Sequence, residues 1–284
     1  MFDYEFMRNA LFAILIITPI FGLIGTLIVN NKMAFFSEAL GHSAYTGIAL
    51  GMLLGISNNT ISLILFAILF SILLNKINDS RISSKDTIIS VFSSTSIALG
   101  LVILTQNGNY TQISNYLIGD ILNIVPKEIL FLIVIAVLIV IFWLTCFNKL
   151  LGISINTSLA KSKGIKVKLL ENIFVILIAT IVMLSIKWVG ILIINSLLIL
   201  PAASSRNISK NMRQYHFWAV LISLFSGVVG LVSSYALGIS TGPTIVLVSS
   251  MIYFLTFIFL ATCSFSNNSH EKMSSYESKC YSVT

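Results

Sequence analysis

Phe35 to Gly55, FFSEALGHSAYTGIALGMLLG, is the stretch around which the rest of the chain is organised. It reads as a membrane-crossing helix that nevertheless carries Glu38 and His42, a carboxylate and an imidazole four residues apart. On a helix that spacing puts both side chains on one face, one turn apart. The stretch also holds Gly47, Gly51 and Gly55, a G-x-x-x-G-x-x-x-G run that lets a second helix approach closely. At about 100° per residue the glycines lie about 140° to 220° from His42. They are therefore expected to face a packed neighbour, while the acid and the imidazole face away from it. An ionisable group inside an apolar span is unfavourable, and so points to function. The plainer alternative makes Glu38 a helix-start acid at the headgroup level and His42 a satisfied core histidine.

Composition extends this reading to the whole chain. Of 284 residues, 57% are hydrophobic and only 10% are charged, and the mean hydropathy is +0.98. Soluble domains carry about 25% charged residues, so the chain is expected to be an integral membrane protein. Its long apolar runs suit helices rather than the short alternating segments of an outer-membrane barrel. The expected fold is all-α: a polytopic transmembrane bundle of eight or nine spans with one short re-entrant or interfacial segment. Cys146, Cys263 and Cys280 form no C-x-x-C pair, so no disulfide framework or structural zinc site follows from them. The N-terminal apolar run lacks a small-residue cleavage site and reads as a retained first span.

In order, the spans are expected at 10–29, 35–55, 61–74, 87–105, 129–147, 172–186, 190–203, 217–237 and 244–262. The segment from Ile113 to Val125 is too short to cross a core of about 30 Å. It contains Asp120 after Gly119, and Asp120 lines a pathway or sits among external headgroups. Residues 1–263 form the transmembrane domain, and 264–284 a polar tail read as disordered. With the tail in the cytoplasm and nine spans threaded backwards, fourteen of the seventeen Lys and Arg residues fall on the inner side. Arg8, Lys127 and Lys187 remain outside. The formal charge of +7 therefore describes topology and not nucleic-acid binding.

Other motifs divide between chemistry and plain structure. Gly238-Ile239-Ser240-Thr241-Gly242 matches G-x-S-x-G, but a serine nucleophile needs a base within reach and none is evident, so a punctuated external turn is the better reading. No G-x-x-x-x-G-K-[ST] occurs, so the chain has no P-loop of its own for ATP. In KWVGILIINSLLILPAASSR, residues 187–206, Asn195 and Ser196 are possible pathway groups and Pro201 is a kink or packing position. The basic loop 148–168 could simply anchor anionic lipid. It also carries Leu159, Ala160, Lys161 and Gly164, a small-residue pattern suited to a partner's groove.

Together these pieces resemble the integral membrane permeases of bacterial ABC importers for zinc, manganese and related divalent metals. FFSEALGHSAYTGIALG is similar to that family's aromatic-(Ser/Gly)-Asp-x-x-x-His-small-x-x-x-Gly segment, and YLIGDIL, residues 116–122, to its x-Gly-(Asp/Ser)-(Leu/Ile)-Leu segment. LAKSKGI resembles its cytoplasmic L-A-x-x-x-G loop. VGILIINSLLILPAASSR resembles its V-G-x-L run ending in L-L-x-x-P-A. The matches come in the family's order and span residues 37–206. One departure is Glu38, where the family usually has Asp; the carboxylate shifts by about one C–C bond, which bears on metal preference.

The resemblance implies a homodimer in a bacterial cell membrane, two cytoplasmic ATPase subunits and an extracytoplasmic metal-binding protein. It implies a transport subunit rather than an enzyme, with no permanently bound cofactor. Zinc is the first-choice cargo, with manganese or iron as alternatives, and Glu38 and His42 form a transient metal site. Leu159, Ala160, Lys161 and Gly164 then lie in the loop that couples to the ATPase. Two rivals come from other classes: a secondary metal carrier that needs no ATPase, and an intramembrane serine hydrolase resting on Ser240.

Overall fold

The polar turns and apolar runs resolve into ten α-helices in a computed structural model that describes residues 4–56, 58–78, 85–106, 119 and 121–280. They are α1 (Glu5–Asn30), α2 (Ala34–Leu53), α3 (Asn59–Asn78), α4 (Lys85–Gln106), α5 (Pro126–Ile155), α6 (Thr157–Ser162), α7 (Val167–Val189), α8 (Ile191–Ile208), α9 (Met212–Leu237) and α10 (Thr241–Cys280). No strand occurs among the described residues. α10 continues past its apolar part, Thr241–Thr262, through the polar tail to Cys280.

The span count differs from the eight or nine expected. Among the described residues, seven helices are long and apolar enough to cross a membrane: α1, α3, α4, α5, α7, α9 and α10. α2 falls outside that set because it carries polar groups along its length. α2 packs against α3, α4, α7 and α8, and α8 against α1, α9 and α10. Helices covered by protein need not meet lipid with aliphatic side chains, so α2 can carry Glu38, His42, Ser43, Tyr45 and Thr46. α5 is the opposite case. Only 11% of its most apolar window is buried, against 67% for α1, and Leu130, Val134, Leu138 and Ile141 stand exposed along it.

Two groups of helices build the bundle. α1 packs on α8 and α9, with α10 closing against α8 and α9. The second group is α2, α3, α4 and α7, joined to the first where α2 and α7 meet α8. Small residues set the approach within the first group. A Cβ on Gly25 would lie 2.0 Å from the Leu198 carbonyl oxygen, and one on Gly22 2.8 Å from that of Ala219. The Ser223 hydroxyl donates to the Thr18 carbonyl at 2.7 Å, tying α9 to α1 where lipid offers no competing partner.

Before α5, a single 3₁₀ turn at Ile121–Asn123 tucks against α1 and α7, with Ile121 and Ile124 buried. Gly119 has φ 73°, and a Cβ there would meet the Gly190 nitrogen at 2.3 Å, so only glycine fits. The rest of the segment expected to be re-entrant, including Asp120, lies outside the described residues. Pro126 opens α5 at its first position, and the Glu128 carboxylate accepts the Val125 N–H at 3.3 Å.

The basic loop expected at 148–168 is mostly helical. α5 runs on to Ile155 because Leu150 and Ile153 find buried positions. The Asn156 side chain then caps α6, accepting from the Ser158 and Leu159 N–H groups at 3.0 and 3.1 Å. Gly164, at φ 76°, closes α6 in the left-handed region.

Candidate functional site

Glu38 and His42 sit on consecutive turns of α2 and reach each other. The distance from Glu38 Oε1 to His42 Nε2 is 3.9 Å. They line a cleft of about 250 Å³ between α2 and α4, together with Phe35 and Ala39 of α2 and Ile89, Ser90, Ser93 and Ser94 of α4. The cleft opens at the protein surface, where the side chains of Glu38 and His42 remain 50% and 31% exposed. Among the described residues no group of three or more His, Cys, Asp and Glu could hold a metal ion. The site therefore offers one carboxylate and one imidazole, with hydroxyls across from them.

Close helix contact holds this cleft in shape. A Cβ on Gly100 of α4 would lie 2.5 Å from the Thr46 nitrogen and 2.7 Å from the Tyr45 carbonyl carbon, so the α2 and α4 backbones touch. Beside that contact the Thr46 hydroxyl donates to the Ser96 carbonyl, and the Ser96 hydroxyl donates to Thr46 Oγ1 at 3.0 Å. α3 supports the other face of α2. A Cβ on Gly47 would meet the Phe66 ring at 3.1 Å, and the Ser62 hydroxyl donates to the Gly47 carbonyl at 2.5 Å.

Gly51 packs on Ser62 as well, where a Cβ would lie 2.0 Å from Oγ. Gly51→Leu is expected to push α3 away and lower thermal stability in detergent by at least the 1–3 kcal/mol typical of an overfilled contact, about that range in magnitude. A variant that melts with the wild type would show that this contact yields freely. Gly55 departs from the glycine face expected for it. α2 ends at Leu53, and Gly55 follows at φ 70° with open space where a Cβ would stand. Its role is to turn the chain out of the helix, a task that favours glycine and owes nothing to packing.

The other sequence candidates fall elsewhere. Asn195 lies on a different flank of α2, where a Cβ on Gly41 would meet its Oδ1 at 3.3 Å. That oxygen is buried and has no hydrogen-bond partner among the described residues. Neither Asn195 nor Ser196 lines the Glu38–His42 cleft. Pro201 is buried within α8. On α6, Ala160 is only 3% exposed and seats the helix on its own chain, while Leu159 is 55% exposed and points outward beside Lys161. Ser240 is exposed at the α9–α10 turn. The base it would need is engaged elsewhere, since His216 is buried with its Nδ1 2.7 Å from Thr26 Oγ1 of α1.

The serines opposite the pair went unread in the sequence. Ser90, Ser93 and Ser94 lie in a Ser/Thr-rich helix whose polarity suggests helix contact in general. Their i, i+3, i+4 spacing places them on one face. Only the pairing of α4 with α2 turns that face toward Glu38 and His42.

The ABC 3 transport family model matches residues 3–260 of this chain. The high-affinity zinc uptake system membrane protein ZnuB of Haemophilus influenzae is 32% identical over 255 residues, covering 89% of this chain and 97% of that protein. The manganese import system permease protein ScaB of Streptococcus gordonii is 28% identical over 255 residues, covering 90% of this chain and 91% of that one. Among solved structures, PsaBC from Streptococcus pneumoniae in complex with Fab superposes with a TM-score of 0.79 at 25% identity, covering 89% of this chain and 91% of that one.

Proposed function

Because the chain belongs to the ABC 3 transport family, we propose that it works as the membrane permease of an ATP-driven importer of a divalent transition metal, with Glu38 and His42 as a transient station for the ion. The observation that carries this reading is the cleft between α2 and α4. An acid and an imidazole stand 3.9 Å apart there, on a helix otherwise enclosed by protein. Together they offer an oxygen and a nitrogen to one divalent ion at about 2.0–2.2 Å each. Two ligands hold an ion loosely, which suits a path where binding must permit both entry and release.

The half-exposed edge of the cleft supports a homodimer. A carboxylate on a membrane-embedded face is strongly disfavoured against lipid, and a second copy seated there would cover it. By symmetry that copy brings its own Glu38 and His42 to the same region. The basic balance of the loops supports a cytoplasmic C-terminus in a bacterial plasma membrane. Relatives with zinc and with manganese in their names occur side by side. Imidazole is the argument for zinc as the first choice, and the oxygen donors are the argument for manganese. The basic test is cellular zinc and manganese content with and without the chain. A deficit of either metal on deletion supports the reading, and unchanged content of both contradicts it.

Energy has to come from outside the chain, which contains no P-loop. We assign the docking of the ATPase to α6. Its exposed Leu159 offers an apolar knob beside Lys161, and the buried Ala160 transmits any push into α5 and α7. Leu159→Asp is expected to uncouple: ATP hydrolysis by the assembled transporter continues while metal uptake falls about tenfold or more, as loss of a buried interface anchor does. Coupled uptake at the wild-type level in Leu159→Asp would remove α6 from the contact. Gly164→Trp strains the left-handed turn behind α6 and is expected to act in the same direction more weakly.

A further inference from the structure

We propose that the hydroxyls of Ser90, Ser93 and Ser94 on α4 are a specificity-determining wall of the metal path, holding an ion that keeps part of its water and so admitting manganese alongside zinc. The inference rests on the reading that Glu38 and His42 touch the ion, and goes beyond it by naming what completes the ion's surroundings within the same chain.

Three observations carry it. The first is the shortage of strong ligands. No third His, Cys, Asp or Glu joins the pair among the described residues, yet divalent first-row metals take four to six ligands. Within this chain the remaining positions fall to weaker oxygen donors. The second is placement: all three serines line the cleft that Glu38 and His42 line. Two residues further along, Ser96 is buried and spends its hydroxyl on Thr46, holding the helices together. The α4 hydroxyls thus divide into a structural clamp at Ser96 and a polar wall facing the cleft. The third is room. A cleft of about 250 Å³ is large beside the roughly 30 Å³ that one water occupies in the liquid, so an ion can enter with several waters attached.

The chemistry then discriminates between metals. A serine on a helix can give its proton to a carbonyl one turn back and keep its lone pairs for a cation or a bound water. Such neutral, hard oxygens suit manganese, which favours six oxygen-rich ligands. Zinc is satisfied by four ligands and gains most from the imidazole. Stripping the hydroxyls therefore removes more from manganese than from zinc.

The test compares radiolabelled manganese and zinc uptake in cells expressing the permease with its ATPase at matched membrane abundance. The variants are the triple Ser→Ala change at positions 90, 93 and 94 and the corresponding triple Ser→Thr change. The ratio of manganese to zinc uptake is expected to fall at least about fivefold in the alanine variant, as loss of one ordinary hydrogen bond would give, and to recover in the threonine variant. If the alanine triple is poorly inserted, Ser93→Ala alone is judged by the same ratio. An unchanged ratio, whether both metals move normally or both fall together, overturns the proposal while leaving the Glu38–His42 station standing. Normal uptake of both metals in His42→Ala overturns the station and the wall together.

Discussion

Zinc and manganese uptake are both expected to fall to background in cells producing His42→Ala, and in cells producing Glu38→Ala, with the protein still inserted and assembled with its ATPase. The size of the effect follows from the ligand count. Among the described residues the proposed station draws one carboxylate and one imidazole from each chain, and removing either kind halves the set that would take a hydrated ion from water. Both side chains sit at an open edge and neither fills a buried cavity, so truncation is expected to spare the fold. Glu38→Asp keeps the carboxylate and is expected to retain uptake with an altered balance between metals. The measurement is initial-rate radiolabel uptake at matched abundance. Normal rates in His42→Ala would make the pair structural.

Gly100→Leu is expected to have an effect nearly as large by a different route. The glycine lets the α4 backbone rest directly on Tyr45 and Thr46 of α2, and a Cβ there would stand 2.5 Å from a backbone nitrogen. A backbone atom cannot swing aside as a side chain can, so α4 must move outward. That separates the serine wall from the Glu38–His42 pair and breaks the Thr46–Ser96 hydrogen bonds. The destabilisation should reach or exceed the upper part of the 1–3 kcal/mol usual for overpacking, an approximate range. It should appear as lost dimer and lost uptake on size-exclusion and transport assays, whereas Gly55→Ala, in open space, should at most strain its own turn. A stable, active Gly100→Leu protein would show that α2 and α4 separate without consequence.

Much of this arrangement was legible in the residues. The pairing of Glu38 with His42 needed only helix periodicity, because residues four apart must share a face wherever the helix goes. The interior character of α2 was legible too, in the polar groups it carries through an apolar stretch. What the residues could not reveal depended on partners and on ends. The serines at 90, 93 and 94 become a wall only because Gly100 brings α4 onto α2, a long-range pairing with no local signal. Gly55 continues the four-residue glycine spacing, yet the helix stops two residues before it, and a terminating glycine has the same letter as a packing one. Ala160 and Leu159 are neighbours in sequence with opposite exposures, a difference set by how α6 lies on the chain. The span count differs at α2, an interior helix whose polar groups answer to other helices and not to lipid.

The proposed transport passes a divalent metal through the Glu38–His42 station at the expense of ATP hydrolysed by another subunit. Reconstitution in proteoliposomes tests it most directly, with the permease, its ATPase and the binding protein supplied together. Metal should accumulate inside only when ATP is present on the ATPase side, and the same vesicles built with His42→Ala should accumulate none while hydrolysis persists. Accumulation by the permease alone, driven by an ion gradient without ATPase or ATP, would contradict the account and make the chain a secondary carrier.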